Sequence, residues 1–257
     1  MRNSDTTPII VWRDVPAALG LLTRLPVRVD MDRAVARGAA GAWAYPLVGL
    51  VVGGIAACTA VAALALGLGP DQAALLAVAV PVVITGALHE DGLADSADGL
   101  WGGWDPARRL HIMKDSHIGA YGVIAIVLVM LMRWVLIAGL LAAGHIMPLV
   151  VAAMLSRASM VGVMAWLPNA RKSGLSQSVG RPALRTVILA TLIAGFAALV
   201  LSGMAGLLAI ITAGLLAAGC GVIARAKIGG QTGDVLGAVQ QISDLGVLMC
   251  LSAALAA

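Results

Sequence analysis

Seven stretches of the chain are candidate bilayer spans, at roughly 43–67, 73–89, 122–143, 146–167, 184–203, 205–224 and 235–257. Crossing the hydrocarbon takes about 20 helical residues, because inside lipid each backbone amide must find its partner within its own segment. That requirement fixes the class: an all-α, polytopic membrane bundle of about seven transmembrane helices, with the lipid bilayer as its solvent. Composition agrees. Charged residues make up 12% of the 257, about half the share found in soluble domains, and mean hydropathy is +0.97. The polar start MRNSDTTP does not read as a cleaved signal peptide. Cys58, Cys220 and Cys250 lie in apolar segments without pairing or metal spacing, and read as packing residues. One domain over 1–257 is expected, with no nucleic-acid partner. Oligomeric state is left open, a homo-oligomer included.

Basic residues sort by loop. The stretch before residue 43 carries Arg2, Arg13, Arg24, Arg28, Arg33 and Arg37. The loop at 90–121 carries Arg108, Arg109 and Lys114, the loop at 168–185 carries Arg171, Lys172, Arg181 and Arg185, and 225–234 carries Arg225 and Lys227. The connections at GLGPDQ, 144–145 and Gly203 carry none. Seven spans put every basic loop on one side, which the positive-inside rule makes the cytoplasmic side of the cell inner membrane. Segment 9–28 is apolar but broken by Arg13, Asp14, Pro16 and Arg24, so it reads as a helix lying in the interface.

The acidic residues are less evenly spread. HEDGLADSADGLW, residues 89–101, holds Glu90, Asp91, Asp95 and Asp98 out of 13 carboxylates in the chain. The apolar run before it, 73–88, would span only about 24 Å as a helix, short of the hydrocarbon core. The helix is therefore expected to continue into the acidic stretch. On such a helix Asp91, Asp95 and Asp98 share one face. Their repulsion near lipid calls for cations, and oxygen-only ligands suit Mg²⁺. The small residues Gly92, Ala94, Ser96, Ala97 and Gly99 would let a ligand come close. A solvated helix end is the plainer alternative. His89 is a helix-end residue, a base or a phosphate contact.

Two further constellations lie on the same side. RRLHIMKDSHIGAYG, 108–122, sets Lys114 and Asp115 side by side. Basic groups near an acidic helix suit a phosphate-bearing substrate, although an amphipathic interfacial helix would look similar. GGQTGDVLGA, 229–238, opens the last span. Its glycines allow close approach and its helix start attracts phosphate, while Asp234 is either a ligand or an ordinary cap. Arg133 and Arg157 fall inside spans, so each faces the bundle interior. Both could pair with carboxylates, and Arg157 could alternatively contact phosphate.

These three motifs, with TRLPV at 23–27, PLVGL at 46–50 and the neighbours Ser156 and Arg157, resemble the cobalamin synthase (adenosylcobinamide-GDP ribazoletransferase) family. The resemblance runs from about residue 19 to residue 250. Glu90 departs from it, standing where some members have an apolar residue. The resemblance implies a membrane-embedded, Mg²⁺-dependent enzyme whose site faces the cytoplasm. It would join adenosylcobinamide-GDP to alpha-ribazole or its 5'-phosphate and release GMP, a ribose hydroxyl attacking a pyrophosphate phosphorus. Metal binding would then fall to Asp91, Asp95 and Asp98, and catalytic roles to His89, Asp91 and Lys114. Substrate binding would fall to Arg109, Asp115, Arg157, Gln231 and Asp234. Two rivals read differently. A CDP-alcohol phosphotransferase would carry Arg where Asp95 stands, and an ion-coupled transporter would show a repeat.

The topology makes a direct prediction. A reporter domain fused after Gly203 should read as non-cytoplasmic, and one fused after Arg181 as cytoplasmic. The reverse pattern would overturn the orientation.

Overall fold

A computed structural model describes residues 8–255; Arg2 and the last two residues of the 235–257 segment lie outside them. The described chain is helical, and its only extended pairing is an isolated parallel bridge between Asn169 and Gln231. The elements are α1 (Asp14–Leu22), α2 (Met31–Arg37), a 3₁₀ turn (Gly38–Ala44), α3 (Tyr45–Ala65), α4 (Pro70–Thr85) and α5 (Leu88–Gly102). They continue with α6 (Pro106–Ile112), α7 (Ala120–Ala142), α8 (Met147–Trp166), α9 (Leu175–Val179), α10 (Leu184–Ile228) and α11 (Gly233–Leu255).

By length and hydropathy five helical elements can cross a bilayer, or six if α4 and α5 are taken as one bent span. That count treats α10 as one element. Gly203 interrupts it with φ 55° and ψ −130°, giving two arms, 184–202 and 204–228. The arms fold back on each other: Ala194, Ala198, Ala209 and Ala213 are buried, and Gly206 sits against the Ala198 carbonyl. With α3, α4, α7, α8 and α11, the bundle has seven apolar arms.

α8 is the axis of this bundle, buried along most of its length between α3, α10 and α11. α3 approaches it through Gly49 and Gly53, one helical turn apart. A Cβ on Gly53 would lie 2.9 Å from the Leu149 carbonyl oxygen, and one on Gly49 would overlap Ala153. Lipid supplies no hydrophobic force between helices, so backbone proximity at small residues is what holds such a pair.

The helix expected to run through residue 88 does not do so. α4 and α5 meet at 88°, because Gly86 (φ 62°, ψ 37°) and Ala87 (φ 57°, ψ 19°) are both left-handed. Gly86 N–H donates to Val83 O and Ala87 N–H to Val82 O, capping the last carbonyls of α4. Gly86 takes this conformation freely, whereas Ala87 costs about 1–2 kcal/mol. α5 therefore lies across the mouth of the bundle and is not itself a span.

The N-terminal segment is also more broken than one interfacial helix. α1 covers only part of 9–28, and α2 and the 3₁₀ turn lead into α3. Asp14, which reads as an interruption in the sequence, is its anchor. The buried carboxylate pairs with Arg37 Nη2 at 2.5 Å and accepts Trp43 Nε1–H at 2.7 Å.

The loops that carry the basic residues meet at one end of the bundle. Arg109 Nη1 donates to Lys227 O and Lys227 Nζ to Leu100 O, while Arg24 N–H donates to Ile84 O.

Candidate active site

A cavity of about 350 Å³ opens between the start of α5, the start of α11 and the chain leaving α8. Its polar lining includes His89, Asp91, Lys114, Arg171, Gln231 and Asp234. α5 and α11 meet where neither has a side chain: Cβ atoms on Gly92 and Gly237 would each lie 3.1 Å from the other's Cα. The glycines of the acidic run thus admit neighbouring chain. Gly99 likewise faces Met113 and the Arg109 carbonyl.

Asp91 is exposed at the mouth and Asp95, one turn on, is half-buried. Burial, and then the like charges of Asp91 and Asp234, push the Asp95 carboxyl up to about 7. Carboxylates from α5 and α11 therefore share one field, against which Arg171 acts. His89 is buried, and its Nε2 has no protein partner. Burial, then Arg157 and Arg133, hold its ring well below the usual histidine range. It is a neutral imidazole at neutral pH, able to accept a proton.

The remaining expected site residues are placed differently. Asp98 shares the general direction of Asp91 and Asp95, but it is buried and committed to α7. Gly119 N–H and Gly122 N–H donate to its two oxygens at 2.7 and 2.9 Å. It caps that helix from a distance, and side chains on either glycine would collide with it. Arg109 donates to the carbonyls of Gly103 and Lys227, tying α6 to α10. Asp115 faces solvent beside His117, 2.7 Å from its Nδ1, and that hydrogen bond lowers the Asp115 carboxyl and raises the imidazole. Gln231 is fully buried; its Nε2 donates to Asn169 Oδ1, and Ser176 Oγ donates to its Oε1 at 2.5 Å. Asp234 is paired with Arg171 Nη1 at 2.9 Å, while Thr232 Oγ1 accepts Val235 N–H in the capping position.

Arg157 does not line this pocket. It is buried in a second, small cavity inside the bundle with Arg133, Glu90, Gln241 and Asp244. Arg133 lies 3.3 Å from Asp244 and 3.9 Å from Glu90, and Gln241 Nε2 donates to Glu90 Oε1 at 2.9 Å. Arg157 Nη1 donates to the Ala153 carbonyl. Two guanidiniums thus face two carboxylates, an arrangement that offsets much of the cost of burial. His89 borders both cavities.

Arg171 is the pocket residue that sequence reasoning did not single out. It belongs to a basic loop and pairs with a residue 63 positions away; helical spacing carries no information about that partner.

Among the described residues, no three His, Cys, Asp or Glu side chains are arranged to hold a metal unaided. Mg²⁺ seldom needs that many, since it is usually held by one or two carboxylates plus substrate phosphates and water. Asp91, exposed, and Asp95, half-buried one turn on, suit that requirement.

The seven-armed bundle and the charged pocket at its mouth define a polytopic membrane protein with a site for soluble, charged groups. The model of the cobalamin-5-phosphate synthase family matches residues 14–252, and the chain belongs to that family. An adenosylcobinamide-GDP ribazoletransferase of Mesorhizobium japonicum is 40% identical over 98% of both chains. Proteins of the same name from Bradyrhizobium diazoefficiens and Azorhizobium caulinodans are each 41% identical; the first match covers 95% of this chain and 94% of its relative, the second 93% and 95%. No solved structure matches. The protein is an enzyme of cobalamin biosynthesis.

The split between Asp91 and Asp98 is open to measurement. Asp98→Asn should lower unfolding stability in detergent by about 1–3 kcal/mol, because one backbone N–H then faces an amide. Exposed Asp91→Asn should change it by less than about 0.5 kcal/mol. Equal stability of the two variants would remove the capping role of Asp98.

Proposed function

We propose that the enzyme joins adenosylcobinamide-GDP to alpha-ribazole or its 5'-phosphate in the pocket between α5 and α11. The product is adenosylcobalamin or its 5'-phosphate, and GMP leaves. This completes the nucleotide loop of the cofactor. The observation that carries the reading is one pocket lined by Asp91 and Asp234, with Lys114 and Arg171 beside them and Asp95 one turn behind Asp91 in the same field. The relatives' name supplies the substrates. The sorting of basic loops supports a cytoplasmic mouth in the inner membrane.

The bond changes are those of a displacement at phosphorus. A ribose hydroxyl oxygen bonds to the cobinamide-side phosphorus of the pyrophosphate. The bond from that phosphorus to the bridging oxygen breaks, and the bridging oxygen leaves on GMP. The hydroxyl proton passes to a base. His89 lines the pocket with an unpartnered Nε2 and is the base assigned here. Lys114, exposed at the rim, offsets charge on the phosphoryl oxygens. Asp91 and Asp95 would hold Mg²⁺, which would supply counter-charge for the pyrophosphate. Asp98 positions α5 against α7.

The reading is tested by incubating detergent-solubilised protein with adenosylcobinamide-GDP, alpha-ribazole and Mg²⁺. GMP and adenosylcobalamin should appear in equal amounts. Asp91→Asn should reduce the rate at least about a hundredfold while the protein still inserts in the membrane. Absence of GMP, with solute counterflow in liposomes, would favour a transporter instead. The Asp95 carboxyl adds a pH dependence. Below about pH 7 it is protonated and a cation must displace the proton. The Mg²⁺ concentration for half-maximal rate should therefore rise about tenfold per unit as pH falls below 7, and level off above. Asp95→Asn should remove that slope.

A further inference from the structure

The ion pair at the mouth of the pocket ties up one of its cationic side chains and one of its carboxylates. Among the described residues, Lys114 and Arg171 are the Lys and Arg side chains lining the pocket. Arg171 Nη1 lies 2.9 Å from Asp234 Oδ2, and its Nη2 donates to the Leu110 carbonyl at 3.1 Å. Thr232 Oγ1 also donates to Asp234 Oδ2, at 3.2 Å. Asp234 and Asp91 line the mouth and Asp95 shares their field, so the guanidinium is a counter-charge to these carboxylates. His89, buried and with Nε2 unpartnered, lines the same pocket.

The chain is held on both sides of Arg171, since Ser176 beyond it is tied to Asn169 and Gln231, so any exchange is one of the side chain. Before Arg171, the bridge between Asn169 and Gln231 is closed by Gln231 N–H donating to Pro168 O at 2.8 Å and Ala170 N–H donating to Gln231 O at 2.9 Å. Arg171 itself is held by only two partners, a carboxylate and a carbonyl, each replaceable by a phosphate oxygen.

We propose that Arg171 is the phosphate-binding arm of the pocket and that its pair with Asp234 is the resting half of an exchange. A phosphate ester takes the guanidinium, and a divalent cation takes the carboxylate it leaves. This rests on the phosphate-ester substrate and the metal proposed above. The guanidinium fork matches carboxylate and phosphate alike, so the swap conserves its geometry. Either ligand alone must break the ion pair and leave one charge uncompensated among its neighbours. Both together break it once and compensate both charges. Binding of the two is therefore positively coupled, and by linkage each tightens the other by the same factor.

The test uses the full-length protein in detergent. Mn²⁺, a paramagnetic substitute for Mg²⁺, is titrated with and without GMP, and the free ion is read by EPR. In the wild type GMP should tighten Mn²⁺ binding by about 5- to 100-fold. Arg171→Gln should bind Mn²⁺ alone more tightly, because its competitor is gone. It should bind GMP more weakly, and GMP should then change Mn²⁺ affinity by less than about twofold. Arg171→Lys, with the charge but not the fork, should fall between. Coupling unchanged in Arg171→Gln overturns the exchange and leaves the metal site standing. No Mn²⁺ binding by the wild type overturns the metal site and the exchange together. If Arg171→Gln does not fold, as judged by thermal unfolding, Asp234→Asn decides from the other partner. It should bind GMP alone more tightly, and unchanged GMP affinity overturns the exchange.

Discussion

A charge placed within an apolar bundle has to bring its counter-charge with it, and α5 is arranged around that constraint. Glu90 turns inward to Arg133 and Gln241, where Asp244 and Arg157 complete a buried set of two carboxylates and two guanidiniums. Asp91, the next residue, turns outward to the pocket. Adjacent residues on a helix diverge by about 100°, so one helix lying across the mouth can serve interior and pocket at once. A helix continuing straight from α4 could not, because both faces would then meet either lipid or water. The 88° turn at Gly86 and Ala87 is thus the step that makes the acidic run usable.

Three contacts with two neighbours, α7 and α11, then fix α5. Asp98 receives two backbone amides from the start of α7. Gly92 lies against Gly237 of α11, backbone to backbone. Glu90 is held through Gln241, also from α11. Asp98 and Gly92 are residues that sequence spacing alone would assign to ligand binding or close approach; Glu90 falls outside that set. What remains on the helix after these commitments is Asp91 and Asp95, two carboxylates on a support held by α7 and α11.

This also marks how far the sequence could be read. The arms of the bundle and the end at which the basic loops gather follow from hydropathy and charge sorting, which depend on composition within each segment. The hairpin at Gly203 was visible as a loop without charge. The break after Thr85 has a local signal, the glycine at 86, which the sequence reading did not use; the short apolar run argued for continuation instead. The commitment of Asp98 to Gly119 and Gly122, and of Asp234 to Arg171, had no local signal. Periodicity tells which residues share a face; it does not tell which element that face meets. Arg157 shows the same limit, since the spacing placed it inside the bundle without revealing that its cavity is separate from the pocket.

The separation of the two cavities has a chemical consequence. Taking a pyrophosphate into the bundle interior would strip its water at a cost of several kcal/mol per charge, and the interior guanidiniums already face Glu90 and Asp244. The mouth imposes no such cost: Asp91 and Lys114 are exposed there, and phosphates can keep part of their hydration. His89 is the one residue that borders both spaces. Its ring is kept neutral by burial and by the arginines behind it. The buried charges thus keep a neutral imidazole, the base of the proposed reaction, at the boundary between the two cavities.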